Sequence, residues 1–108
     1  MTEESKRRFA RYRTDFFVVV TILTEDGYTP LHGRCHELNQ AGLGAIISRE
    51  LARGKMVSLE LSLPGIPNSL VIRAIVRRRT GLSHGFEFEL TAEHGVLIGA
   101  FCRSLIRP

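Results

Sequence analysis

The sequence contains no tryptophan, two cysteines and four prolines among 108 residues, and each shortage excludes something. Cys35 and Cys102 make no framework of the kind that staples small secreted domains, so buried free thiols in a reducing compartment are the expectation. Long apolar runs are missing as well. The longest is Phe16 to Val20, resumed at Ile22 and Leu23 after Thr21, far short of the roughly 20 residues that span a bilayer as a helix. Residues 1–13 are charged where a secretory signal would carry an apolar stretch, which predicts a cytoplasmic protein with no membrane insertion. Hydrophobic residues at 44% and charged residues at 24% exclude a disordered or fibrous chain. A chain of this length supports one core and buries about two thirds of its unfolded surface.

Charge is present but uneven. Within residues 1–14, Lys6, Arg7, Arg8, Arg11 and Arg13 stand against Glu3 and Glu4, so five positive and two negative charges supply +3 of the formal net +4. A basic segment of this kind points to an anionic partner, whether nucleic acid, a phosphorylated small molecule, an anionic membrane surface or an acidic protein. The chain therefore reads as a flexible basic arm over 1–14 and a folded domain over 15–108.

In that domain, Asp15 to Leu23 is rich in Phe, Val, Ile and Thr, the residue types that fit a pleated surface. Glu25-Asp26-Gly27 predicts a tight hairpin turn, with Asp-Gly at the positive-φ positions, and Tyr28 to Leu38 is the returning strand. Pro30 and Gly33 mark that strand as an edge or a bulged one. Gly42 and Gly44 open a third strand through Ala45, Ile46 and Ile47. Val57, Leu59, Leu61 and Leu63 alternate with Ser58, Glu60 and Ser62, the period-two pattern of a fourth strand. Pro64 to Asn68 is a loop, since two prolines and a glycine cannot supply a continuous ladder. Leu70 to Val76 alternates again and ends in Arg77-Arg78-Arg79, Gly81 turns the chain, and Ser83 to Leu90 is a sixth strand with Phe86, Phe88 and Leu90 inward. Beyond it Leu97, Ile98, Phe101, Cys102 and Leu105 recur at helical spacing behind the N-cap Thr91, with Glu93 in the first turn. Six antiparallel strands and one terminal helix predict a mainly β fold, a small barrel whose opening or face the helix covers.

Two constellations carry chemistry. Arg7 and Arg11 form an Arg-x-x-x-Arg pair just before the first strand, and two guanidinium groups converging on one ligand offer planar forks for phosphate oxygens or for the edge of a guanine. Glu37-Leu38-Asn39-Gln40-Ala41-Gly42 places a carboxylate and an amide two residues apart at a strand junction, followed by a glycine that permits close backbone approach.

These two pieces and the strand order resemble the PilZ domain, a bacterial receptor module for cyclic di-GMP built as a six-stranded barrel with a C-terminal helix. Arg7 and Arg11 match the family's Arg-x-x-x-Arg motif, Gly42 matches the glycine of its Asp/Asn-x-Ser-x-x-Gly motif, and Gly85-Phe86-Glu87-Phe88 looks like its late Gly-x-x-Phe strand. Glu37 stands where the family has Asp or Asn, and Asn39 where it has Ser. The resemblance implies that Arg7 and Arg11 contact guanine edges and phosphates, that Glu37 and Asn39 read guanine, that Gly42 makes room, and that Arg8 and Lys6 assist electrostatically. It further implies an arm that orders over the nucleotide and thereby changes the surface offered to a protein effector, with no cofactor and no enzymatic activity. The alternatives are a divergent PilZ module that has lost the nucleotide and acts by protein contact, through outward apolar residues such as Val71 and Ile75, and a nucleic-acid-binding barrel using Arg77 to Arg79. The second is disfavoured because Tyr12, Tyr28 and the six phenylalanines fall mostly at core or arm positions, leaving no aromatic platform for bases. His32-x-x-Cys35-His36 has superficial metal-ligand spacing, but on a strand Cys35 points away from both histidines, so surface histidines beside a buried thiol are expected. His84 and His94 stand isolated.

Overall fold

The structure, a computed structural model, describes residues 12–105. Six strands close into an antiparallel barrel: β1 (Tyr12–Thr24), β2 (Gly27–Leu38), β3 (Gly42–Ile47), β4 (Met56–Leu61), β5 (Leu70–Thr80) and β6 (Ser83–Glu89), followed by α1 (Ala92–Ser104). Their order around the barrel is β1-β2-β3-β6-β5-β4, with β4 returning to pair with β1. The strand alternation in the sequence is the cause. Phe16, Val18, Val20 and Ile22 of β1, Val57, Leu59 and Leu61 of β4, and Leu70, Ile72, Ala74 and Val76 of β5 all turn inward and are buried. Each large aliphatic side chain taken from water in this way contributes about 1.5–3 kcal/mol.

Several local expectations change. β1 begins at Tyr12 rather than Asp15, so Tyr12, Arg13 and Thr14 belong to the barrel wall. At the first hairpin only Gly27 takes a positive φ, of 103°, and Asp26 does not. Thr24 fastens that turn, its hydroxyl accepting from the Asp26 N–H and donating to the Gly27 carbonyl. Pro30 lies in the stretch of β2 that pairs with β1 alone, since pairing with β3 starts at Gly33. Gly33 marks a close approach: a Cβ there would sit 2.5 Å from Ile47 Cγ2. The bulge in β2 falls instead between Cys35 and Glu37. Phe16, Phe86, Phe88 and Phe101 are buried as expected, while Phe17 and Tyr28 are exposed. Phe17 lies under the Arg34 guanidinium, 4.5 Å from its ring centre, and Arg34 also pairs with Asp15.

Helix α1 starts where its sequence signals placed it. The Thr91 hydroxyl accepts from the His94 N–H at 3.1 Å, and Ile98, Gly99, Phe101 and Cys102 form its buried face. Phe101 meets Phe16 edge to face, with ring centres 6.3 Å apart. Gly99 lies near the β2–β3 turn, where a Cβ would make ordinary contact with Gln40 Nε2 at 3.8 Å.

His84, which stands isolated in the sequence, is 2% exposed and is a core residue. Its Nε2 accepts from the Leu51 N–H at 2.9 Å, and its Nδ1 lies 2.8 Å from the Leu82 carbonyl. This pairing assigns the neutral Nδ1–H tautomer, and it ties the β3–β4 connection to β6. Both cysteines are free and buried. Burial pushes the Cys102 thiol up to about 11, with Arg103 opposing and Cys35 adding to the shift. Burial also raises the Cys35 thiol, against the Thr14 hydroxyl and the Glu37 backbone.

Two outcomes follow. Replacing His84 with alanine leaves the Leu51 N–H without its acceptor and is expected to cost about 1–3 kcal/mol in urea unfolding; an unchanged midpoint would contradict the tie. Both thiols are expected to ignore a disulfide reagent at about pH 8 in the folded protein and to react fully in denaturant. Because Cys102 is raised from 9.0 to about 11, its contribution is present below the unfolded value and fades as pH climbs between the two, so stability falls with pH across that window.

Candidate functional site

The turn between β2 and β3 is built by Asn39. Its side-chain Oδ1 accepts from the backbone N–H groups of Ala41, at 2.6 Å, and of Gly42, at 2.9 Å. Its own N–H donates to the Gly42 carbonyl at 2.9 Å. Asparagine is suited to this because its carbonyl imitates a backbone acceptor two and three residues along. The side chain expected to read guanine therefore spends its oxygen on the turn and leaves its NH2 for a ligand. Immediately after, Gly42 crosses β6 at a distance no other residue allows, since a Cβ there would lie 2.0 Å from the Phe86 carbonyl oxygen. The Phe88 N–H donates to the Ala41 carbonyl at 2.8 Å and extends the pairing.

Strand register carries this turn across the outer wall of the barrel. Glu37 pairs with Gly44, Gly44 with Gly85, and Gly85 with Arg78, so one row runs over four strands. The two middle positions carry no side chain, and the row becomes a shallow groove floored by glycine. Both rims are bulges. In β2 the bulge between Cys35 and Glu37 puts the consecutive residues His36 and Glu37 outside the barrel while Cys35 and Leu38 stay buried. In β5 the bulge between Val76 and Arg78 does the same for Arg77 and Arg78. The Cys35 thiol donates to the Glu37 carbonyl at 3.3 Å and braces the first bulge from inside.

The groove holds about 190 Å³ at the end lined by Asn39, Gly42, Arg77 and Glu87. A further 120 Å³ extends along His36, Thr80 and Ser83, and the two parts share Glu37, Gly44, Gly85 and Arg78. Arg77 pairs with Glu87 beside the floor. A larger hollow of about 680 Å³ lies elsewhere on the wall, among Leu23, Tyr28, Met56, Val71 and Arg73. Thr21, Ser58 and Arg73 share its lining with the apolar side chains, and no residue of the Glu37–Gly42 motif reaches it.

Of the residues singled out from sequence, Glu37, Asn39 and Gly42 come together at one end of the groove. Arg7, Arg8 and Arg11, with Lys6, lie outside the described residues. β1 begins beside the same turn, with Tyr12 paired with Leu38 and Arg13 with Glu37. His32 and His36 are exposed while Cys35 is buried, as their strand positions require. Arg77, Arg78, Gly44, Gly85 and Glu87 join the lining without having been expected there. The signal for the arginines was the loss of alternation after Val76, where a charged residue stands at the position an inward residue should take.

The fold is a closed six-stranded barrel with a C-terminal helix and a glycine-floored polar groove on its outer wall. The PilZ domain family model matches residues 5–104, and the chain belongs to the PilZ domain family. Comparison with curated proteins returns no match. Among solved structures, the fold is similar to the PilZ domain of YcgR from Escherichia coli, determined with c-di-GMP, at 18% identity and a TM-score of 0.73 over 93% of this chain and 91% of that one. It is similar to the Bacillus subtilis inhibitor of motility MotI, also called DgrA, at 16% identity and 0.69, covering 91% of this chain and 50% of that one. This chain thus spans half the length of MotI. The PilZ domain of CeSA from a cellulose-synthesizing bacterium matches at 18% identity and 0.64, covering 89% and 94%.

The glycines make a clean comparison. Gly42→Ala drives a methyl into the backbone of β6 and is expected to destabilise the domain by about 1–3 kcal/mol or more in denaturant unfolding. Gly44→Ala meets the exposed His36 ring at 3.1 Å and Glu37 Oε1 at 3.6 Å, both side-chain atoms, and is expected to keep the fold as the His36 ring swings aside. Equal losses in the two variants would contradict this geometry.

Proposed function

We propose that this domain is a cyclic di-GMP receptor whose arginine segment closes over nucleotide held on the glycine-floored groove, and that the closure alters the surface met by a protein partner. The observation that carries the reading is the register at the root of β1. With Tyr12 opposite Leu38 and Arg13 opposite Glu37, β1 starts directly beside the Glu37–Gly42 turn, and Arg7, Arg8 and Arg11 immediately precede it in sequence. A segment with four basic residues ahead of β1, Lys6, Arg7, Arg8 and Arg11, suits a dianionic ligand, and arginine forks match both phosphate oxygens and the O6 and N7 edge of guanine. Glu37 accepts hydrogen bonds from the guanine N1 and N2 positions in this reading, and the Asn39 amide donates. Gly42 brings the turn backbone close. The structure of the YcgR PilZ domain with c-di-GMP supports the ligand class. MotI, an inhibitor of motility, supports action on another protein, here a cytoplasmic one. Ordering of a charged segment by a ligand is an established way to switch a partner surface.

Titration calorimetry with cyclic di-GMP tests this reading. Wild type is expected to bind at about micromolar affinity or tighter, and the Arg7→Ala/Arg11→Ala double variant to lose at least about tenfold while melting normally. No heat from wild type and no competition at high ligand concentration would overturn it, leaving a PilZ module that acts by protein contact alone.

A further inference from the structure

The seam that closes the barrel is short. β1 and β4 pair from Val18 with Leu61 to Thr21 with Ser58 and no further, although β1 runs on to Thr24 against β2 and β4 reaches back to Met56 against β5. Beyond Thr21 the two strands part. The hollow of about 680 Å³ lies at this fork, between Leu23 and Tyr28 of the first hairpin, Met56 of β4, and Val71 and Arg73 of β5. All four apolar side chains are exposed. β1 and β4 stand across the barrel from β6 and β3, so this face is turned away from the glycine row.

Single apolar residues are ordinary on a protein surface, but four grouped around one concave hollow mark a place where another molecule sits. The charge of the lining says what kind. Arg73 is exposed and makes no ion pair among the described residues, and no carboxylate shares the lining with it. Glu60 and Glu89, across the strands from Val71 and Arg73, lie outside the hollow. Thr21 and Ser58 add two hydroxyls where the strands part. A segment that buries bulky apolar side chains here and brings a carboxylate to Arg73 completes the match in both shape and charge. A second copy presenting the same face brings a second cation and no anion into the hollow, which argues against self-pairing.

We infer that the fork between β1 and β4 is a docking site for a partner protein, which lays into it a segment of bulky apolar side chains beside an Asp or Glu that pairs with Arg73. The site is separate from the groove, and the inference stands whether or not the domain binds cyclic di-GMP. The test is selection of a displayed random peptide library on the immobilised full chain, run in parallel on Arg73→Glu and on Leu23→Ser/Val71→Ser. These substitutions fall on exposed side chains, and a melting curve for each is expected to match wild type. Wild type is expected to enrich peptides that combine Leu, Ile, Met or Phe with Asp or Glu, and Arg73→Glu to enrich peptides in which Lys or Arg takes the acidic place. A peptide selected on wild type, titrated by fluorescence anisotropy, is expected to bind Leu23→Ser/Val71→Ser at least about tenfold more weakly. No enrichment on wild type, enriched peptides without an acidic residue, or equal binding to the double variant would overturn the inference. Sedimentation of the chain alone checks the other occupants. A wild-type dimer that Leu23→Ser/Val71→Ser dissolves would give the face to a second copy, and pelleting with phosphatidylglycerol vesicles that the same variant abolishes would give it to a membrane; either result overturns the partner-protein assignment.

Discussion

Where β3 meets β6 at Gly42, a methyl group would lie 2.0 Å from the Phe86 carbonyl oxygen, and the rest of the molecule depends on the contact that its absence permits. β3 and β6 are not consecutive in the chain, so their pairing joins the β1–β2–β3 meander to the β4–β5–β6 meander on this side of the barrel. The hydrogen bonds from Asn39 place Gly42 for that pairing, and the Phe88 to Ala41 bond extends it. The same contact sets the register that lines up Gly44 with Gly85. Closure of the barrel and the floor of the groove are therefore one structural event.

Bulges then decide what stands on either side of that floor. A regular antiparallel ladder sends alternate side chains inward, so two adjacent polar residues on the outer wall require an extra residue. β2 supplies one around His36 and β5 another at Arg77. The result is an acidic rim and a basic rim flanking the glycine row. Helix α1 backs the arrangement from the far side of the turn, with Gly99 facing Gln40 and Phe101 packed on Phe16.

The barrel was legible because its evidence is local. Val57, Leu59 and Leu61 alternate with polar residues, the β5 aliphatics do the same, and Thr91 caps a helix through the His94 N–H three residues on. Glu37, Asn39 and Gly42 were legible as a motif too, but not the division of labour within it. Nothing in the spacing says that the Asn39 carbonyl closes the turn instead of facing a ligand. The bulges were hidden because they are properties of a pair of strands, visible only once the register is known, and with them Arg77, Arg78 and Gly85 escaped notice as neighbours of Glu37. His84 looked isolated for a similar reason, since its partner Leu51 lies in a connection distant in sequence. Tyr28 and Phe17 are outside the barrel although their residue types favour the core, because strand alternation outranks hydrophobicity at a single position.

The central claim is that the row from Glu37 to Arg78 is where nucleotide lies. Amide chemical-shift mapping on adding cyclic di-GMP tests it most directly. The account expects the largest changes at Asn39 to Gly44, at Gly85 and at Arg77 to Arg78, with the hairpin around Leu23 and Tyr28 left unmoved. Changes centred on Leu23, Tyr28, Met56 and Val71, with the glycine row silent, would contradict it.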